Sequence, residues 1–86
     1  MSKKLKHPKE IVATALNISI DQLNEDSAYG KTPNWDSLNH VAIINDLETN
    51  FEIQIPDSEI ENYLTMRAII ELYEKINKHS TGYNKE

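Results

Sequence analysis

The residues best suited to chemistry lie in one octapeptide, Asn34-Trp35-Asp36-Ser37-Leu38-Asn39-His40-Val41. A polar loop ends here, and a segment with helical spacing of apolar residues begins. Asp36 and Ser37 are both residue types that cap helix N-termini. A hydroxyl at a helix start also lies near free backbone N–H groups and the positive end of the helix dipole, an environment that suits a phosphate ester. The stretch therefore indicates a plain helix cap or a covalent attachment point at Ser37. The two readings are compatible, because Asp36 can cap while Ser37 carries a group.

Catalysis by Ser37 has little support. A nucleophilic serine needs a base within hydrogen-bond reach, and a third group must orient that base. His40 lies three residues further along, where a helix makes the two side chains neighbours. This spacing offers poor geometry for attack, and no glycine-rich oxyanion turn surrounds the serine. We therefore expect a protein that is not an enzyme.

The residue types that bind metals are not grouped in a ligand pattern. The chain has no cysteine, and its histidines at positions 7, 40 and 79 are scattered without metal-ligand spacing. The acidic run from Asp57 to Glu61 lacks the loop glycine of a calcium site. The sequence thus predicts no metal site, and the absence of cysteine fits a cytoplasmic domain held together by its core alone.

The bulk composition describes one small domain. The chain has 86 residues, of which 38% are hydrophobic and 27% charged, as in ordinary globular domains. No apolar run approaches the roughly 20 residues of a membrane span, so we expect no membrane association. The N-terminus is basic, but no apolar stretch follows it, so it does not predict a secretory signal.

The negative charge is concentrated in the middle of the chain. The formal net charge is −5, and no Lys or Arg lies between Lys31 and Arg67. This interval holds seven acids: Asp36, Asp46, Glu48, Glu52, Asp57, Glu59 and Glu61. Such a surface repels nucleic acid and attracts basic patches on other proteins. It can equally be a solvated face that only aids solubility, and the sequence leaves both readings open.

The first elements follow from caps and apolar spacing. Pro8 favours a helix start, and a helical apolar stripe follows it until Asn17, where we expect the helix to end. Ser19 and Gln22 have the form of a capping box, with Leu23 facing inward. A long polar loop then spans residues 24–34, and we expect Tyr29 to anchor it in the core.

Three further elements complete the predicted fold. A second helix spans residues 36–51, and an extended connector follows it. Asp57 is expected to cap a short third helix and Thr65 the last helix. The last helix shows helical spacing in Met66, Ile69, Ile70, Tyr73 and Ile76. The predicted fold class is all-α: a small four-helix bundle, with three main helices, a short third helix and a long first loop.

A helical wheel divides the second helix into two apolar groups. The core stripe contains Ile43, Ile44, Leu47 and Phe51. Leu38 and Val41 fall on another side of the helix, which also carries Ala42, Asn45 and Glu48. This second group predicts a small docking patch beside the serine. The alternative is that these residues pack under the long loop.

At this point the sequence resembles a known family. Asp36-Ser37-Leu38, then Phe51, then Ile55-Pro56-Asp57 and a Thr-led final helix are similar to the acyl carrier proteins, over the range 11–76. The resemblance implies 4′-phosphopantetheine, transferred from coenzyme A to Ser37 by a separate Mg²⁺-dependent phosphopantetheinyl transferase. It also implies acyl groups carried as thioesters to acyl-loading and acyl-transfer enzymes.

The residue pattern and the resemblance together give the expected domains and docking residues. Residues 1–6 would be a flexible basic N-terminus, 7–79 a monomeric carrier domain and 80–86 a polar C-terminal tail. The expected docking residues are Asp36, Leu38, Val41, Ala42, Asn45 and Glu48.

Some residues depart from the carriers of fatty-acid synthesis. Asn39 stands where those carriers have an acid, and Ala42, Asn45 and Thr49 stand where they have acids and a methionine. Trp35 and Asn39-His40 give the run Trp-Asp-Ser-Leu-Asn-His, which is similar to stand-alone carriers of specialised pathways such as surface-polysaccharide modification, unusual acyl or glyceryl transfer, or polyketide-like assembly. Trp35 can equally be a core aromatic that closes the loop. The alternative function is an acidic helical module that binds a basic protein without a covalent cofactor.

Overall fold

The fold is a bundle of three α-helices and two short 3-10 helices in the part of the chain that the structure describes. A computed structural model describes the backbone of residues 6–84 and the side chains of residues 6–77. The elements are α1 (Pro8–Leu16), η1 (Ile20–Gln22), α2 (Ser37–Phe51), η2 (Asp57–Tyr63) and α3 (Met66–Asn84). The all-α bundle is confirmed, and its short third helix is the 3-10 helix η2. The expectation for residues 1–5 lies outside the described residues.

The helix ends follow the predicted chemistry closely. Asn17 ends α1 in a left-handed conformation with φ 58°, and its backbone N–H donates to the carbonyls of Ala13 and Thr14. The capping box of Ser19 and Gln22 is present around η1. Thr65 caps α3, since its hydroxyl accepts a hydrogen bond from the backbone N–H of Ala68. The backbone of α3 stays helical to Asn84, beyond the expected domain end at residue 79.

The core lies where α1 packs against α2 and α3. Each helix contributes its predicted apolar stripe, and the connecting segments add a few large side chains. The largest fully buried residues include Trp35, Ile11, Leu16, Ile43, Leu47, Met66 and Ile69. None of the helices between residues 6 and 84 is both long and apolar enough to cross a membrane.

The long first loop is held by a different aromatic residue from the one predicted. Tyr29 remains 42% exposed, whereas Trp35 is only 1% exposed. Backbone hydrogen bonds explain the difference: Tyr29 N–H donates to the Leu64 carbonyl and Met66 N–H to the Ser27 carbonyl. This short pairing fixes the loop backbone beside the start of α3, and Trp35 enters the core. The prediction that Tyr29 anchors the loop was wrong.

The segment after α2 confirms one prediction and corrects another. Ile55 is buried and Ile53 half-buried, as expected of an extended connector. Pro56, however, occupies the cap position of η2, and Asp57 is its first residue. No side chain makes a capping hydrogen bond there. The predicted cap by Asp57 was therefore wrong, because the 3-10 helix begins one residue earlier than expected.

We expect η2 to be the least protected of the longer helical segments in hydrogen exchange. It contains no fully buried residue, and only Ile60 and Tyr63 pack partly against the core. The 3-10 geometry also makes weaker backbone hydrogen bonds than an α-helix. Amide exchange followed by NMR should show residues 57–63 exchanging before α1, α2 and α3. Protection in η2 equal to that in α2, the internal reference, would contradict this expectation.

Candidate functional site

Ser37 is the first residue of α2 and its side chain is exposed to solvent. Asp36 is the N-cap, and its Oδ1 accepts a hydrogen bond of 2.9 Å from the backbone N–H of Asn39. The predicted cap is thus confirmed. The N–H groups of Ser37 and Leu38 have no hydrogen-bond partner among residues 6–84, as is usual in a first helical turn. An accessible hydroxyl therefore lies beside free donors at the positive end of a helix.

The turn before the serine depends on Asn34 and Asn39. Asn34 adopts a left-handed conformation with φ 68°. Its carbonyl accepts from the backbone N–H of Asp36 at 3.0 Å and from the Asn39 side-chain amide at 2.7 Å. The Asn34 side-chain amide donates to the carbonyl of Leu16, at the end of α1, at 2.8 Å. The turn is consequently attached both to α1 and to the first turn of α2.

His40 is a core residue that joins three segments. It is 4% exposed, and its Nδ1 lies 3.0 Å from Nε1 of Trp35. An indole N–H only donates, so Nδ1 must accept and the neutral ring carries its proton on Nε2. That Nε2 donates to the carbonyl of Ile60 in η2 at 3.2 Å. Both ring nitrogens are thus engaged away from Ser37, which leaves His40 with no role as its base.

The aromatic rings around His40 complete this packing. The Trp35 ring stacks at a centroid distance of 6.2 Å, and the Tyr29 ring meets His40 edge-on at 5.9 Å. Trp35 is therefore the core aromatic that closes the loop, one of the two readings that the sequence left open. The core role of His40 was missed. Its position in the apolar stripe, three and four residues before Ile43 and Ile44, was the available signal.

The apolar residues of the second group lie at the surface. Leu38 is 79% exposed and Val41 is 51% exposed. Asn45 is also exposed, and Ala42 is half-buried beside them. The helical wheel therefore separated core from surface correctly, and Leu38 and Val41 do not pack under the loop. We refer to Leu38, Val41, Ala42 and Asn45 as the α2 patch.

The acids beside the α2 patch both make backbone hydrogen bonds. Asp36 is exposed and uses one carboxylate oxygen as the helix cap. Glu48 is half-buried, and its Oε2 accepts a 2.7 Å hydrogen bond from the backbone N–H of Ile55. Glu48 thus holds the connector against α2. This contact gives Glu48 a structural role that the sequence did not predict.

Comparison with known proteins adds an independent observation. An acyl carrier protein of Sulfurovum sp. (strain NBC37-1) is 37% identical over 68 residues, which cover 79% of this chain and 91% of that protein. An acyl carrier protein of Wolinella succinogenes is 33% identical over 77% of this chain and 87% of its own length. One from Campylobacter hominis is 31% identical over 83% and 90%, respectively. No protein-family model matches the chain.

The His40 contacts predict a stability effect. Replacing His40 with Leu removes the acceptor of the buried Trp35 N–H and the donor to the Ile60 carbonyl. An unpaired buried donor costs about 1–3 kcal/mol, so we expect the free energy of unfolding to fall by about that amount. Urea unfolding of His40→Leu measures it. The matched control is Asn45→Leu on the exposed side of the same helix, which should stay within about 0.5 kcal/mol of wild type. Equal stability of the two variants would contradict the assigned core role.

Proposed function

The chain belongs to the acyl carrier protein family, and from this premise we propose that Ser37 is the attachment point of 4′-phosphopantetheine. Proteins of this family are carriers and not enzymes, and membership implies this prosthetic group. When bound, the group supplies a terminal thiol that holds acyl groups as thioesters. The observation that carries the proposal is the exposed Ser37 hydroxyl at the start of α2.

The residues around Ser37 fit a phosphate ester. In the loading step, the Ser37 oxygen forms a bond to the pantetheine-bearing phosphorus of coenzyme A. The bond from that phosphorus to adenosine 3′,5′-bisphosphate breaks, and the serine proton passes to a base on the transferase. The free N–H groups of Ser37 and Leu38 and the dipole of α2 favour the negative charge of the resulting ester. Asp36 keeps the helix start ordered through its cap.

The α2 patch is the proposed docking surface for partner enzymes, together with Asp36 and Glu48. Leu38 and Val41 provide exposed apolar area next to Ser37. Burial of such side chains in a complementary pocket supplies binding energy, and the surrounding acids favour a basic partner surface. The partners we propose are a phosphopantetheinyl transferase and enzymes that load or accept acyl groups.

We also propose that the carrier serves a specialised pathway in the cytoplasm. Ala42 and Asn45 give the α2 patch neutral side chains where carriers of fatty-acid synthesis have charged or larger residues. A partner that recognises acids at these positions would gain little from this surface. This difference favours partner enzymes with a less basic docking surface. The lack of cysteine in the sequence is compatible with a reducing compartment.

Loss of the hydroxyl should abolish loading. Wild-type protein incubated with coenzyme A, Mg²⁺ and a broad-specificity phosphopantetheinyl transferase should gain the mass of one phosphopantetheine, measured on the intact protein. Ser37→Ala should gain none and should remain folded, because an exposed substitution beside an intact Asp36 cap costs little. Exposed Ser58→Ala is the matched control and should load normally. A wild-type chain without any gain in mass would contradict the attachment proposal and favour the non-covalent module.

Truncation of the α2 patch should weaken docking. Loss of an apolar anchor from an interface costs more than about 1 kcal/mol, so Leu38→Ala should raise the carrier KM of loading about fivefold or more. The matched control is Ile20→Ala, which truncates another exposed apolar residue outside the patch. It should leave KM unchanged. Equal KM values for the two variants would show that Leu38 takes no part in docking.

A further inference from the structure

The side-chain amides of Asn34 and Asn39 form a brace around the serine turn. Asn39 Nδ2 donates to the Asn34 carbonyl at 2.7 Å, and Asn34 Nδ2 donates to the Leu16 carbonyl at 2.8 Å. The brace therefore connects α1, the turn and the first turn of α2. Ser37 lies inside this connected segment, between the turn and Asn39.

From this arrangement we propose that Asn39 is a positioning residue for the loading of Ser37. This inference rests on the proposed function. Asn39 acts through Asn34 and Asp36, which set the direction in which α2 begins. It does not touch the reacting atoms in this role.

The contact requires a donor at position 39. A backbone carbonyl only accepts hydrogen bonds, so the side chain that faces Asn34 must present an N–H or O–H donor. Asparagine does so, whereas an aspartate would place negatively charged oxygens against the partial negative charge of the carbonyl. The side chain of Asn39 is not needed as a cap, because the Asn39 backbone N–H is already bonded to Asp36.

The brace also offsets backbone strain in the turn. Asn34 has φ 68°, a left-handed conformation that asparagine adopts more readily than most non-glycine residues but still at some cost in free energy. Its carbonyl accepts from Asp36 N–H in a three-residue turn at 3.0 Å. The shorter hydrogen bond from Asn39 adds a second donor to the same carbonyl. Without this hydrogen bond, the Asp36 N–H of the three-residue turn would be the one donor among the described residues of the α2 side that bonds the Asn34 carbonyl.

Helix electrostatics alone makes the opposite prediction for this position. An acid in the first turn of a helix is normally stabilising, and α2 has none there. On this explanation alone, Asn39→Asp should raise the stability of α2 and add a charge that attracts a basic transferase. The brace predicts that the same change impairs loading. The two explanations thus differ in the sign of the effect.

Loading places a strict demand on the position of the nucleophile. The Ser37 oxygen must meet the phosphorus of coenzyme A as the bond to adenosine 3′,5′-bisphosphate breaks and the serine proton leaves. A displacement of about 1 Å in a reacting group can cost about 100-fold in rate. A looser turn would leave Ser37 exposed and able to dock, but correctly placed less often.

The test is the steady-state kinetics of loading with coenzyme A and a broad-specificity transferase. For Asn39→Asp and Asn39→Ala we expect kcat to fall about tenfold while the carrier KM changes less than about twofold. The matched control is Asn62→Asp, which makes the same substitution at an exposed residue outside both the brace and the α2 patch. It should keep the wild-type kcat. Partial unfolding would lower the concentration of competent carrier and raise the apparent KM, so a fall in kcat is specific to positioning.

Three results would overturn the inference. The first is a wild-type kcat in both Asn39 variants. The second is an effect confined to KM, which would make Asn39 a docking or merely structural residue. The third is an equal fall in kcat for Asn62→Asp, which would assign the effect to the added charge. If Asn39→Asp does not fold, the kcat of Asn39→Ala alone tests the inference. A wild-type chain that does not load at all contradicts the attachment proposal itself, whereas normal loading of the Asn39 variants contradicts only the role of Asn39.

Discussion

The buried indole N–H of Trp35 is the constraint on which the arrangement around the serine depends. A donor removed from water needs an acceptor, and the one it has is Nδ1 of His40. That contact determines the tautomer of His40, which then donates to the carbonyl of Ile60. Loop, α2 and η2 are thereby connected through one imidazole ring. Ser37 lies between Trp35 and His40 in the chain, so its position is set by contacts that it does not make itself.

The first turns of α2 reverse the usual distribution of polar and apolar side chains. The polar His40 is buried, while the apolar Leu38 and Val41 are exposed. Burial of the histidine is tolerated because both of its ring nitrogens have partners. Exposure of two apolar residues beside an exposed hydroxyl has no benefit for the core. The reversal fits the docking surface that we propose for partner proteins and a core that holds the segment around the serine in place.

Periodicity and caps predicted the fold well, because they act over a few residues. The helix bounds near Pro8, Asn17 and Thr65 follow from local features: a proline at the first helical position, a left-handed asparagine at the end of α1 and a side-chain cap on α3. One failed prediction, the cap by Asp57, missed a helix start by one residue, whereas the failed Tyr29 anchor concerns a contact between distant segments. Whether Tyr29 or Trp35 enters the core depends on the pairing of the loop with the start of α3, which no local pattern encodes. The contact between Glu48 and the Ile55 N–H is another such case, although the acid itself was noted as a docking residue.

The structure also changes how the departures from fatty-acid-synthesis carriers support a specialised pathway. Asn39 was interpreted as a missing acid on the docking surface, but its amide is engaged within the fold. Its side chain takes part in the serine turn, so Asn39 by itself does not indicate a different partner. Trp35 and His40 form one hydrogen-bonded pair, so each residue requires the other. Their joint presence is therefore one similarity to specialised carriers and not two. The evidence for distinct partners consequently rests on Ala42 and Asn45, the neutral residues of the α2 patch, and on the exposed Thr49 further along α2.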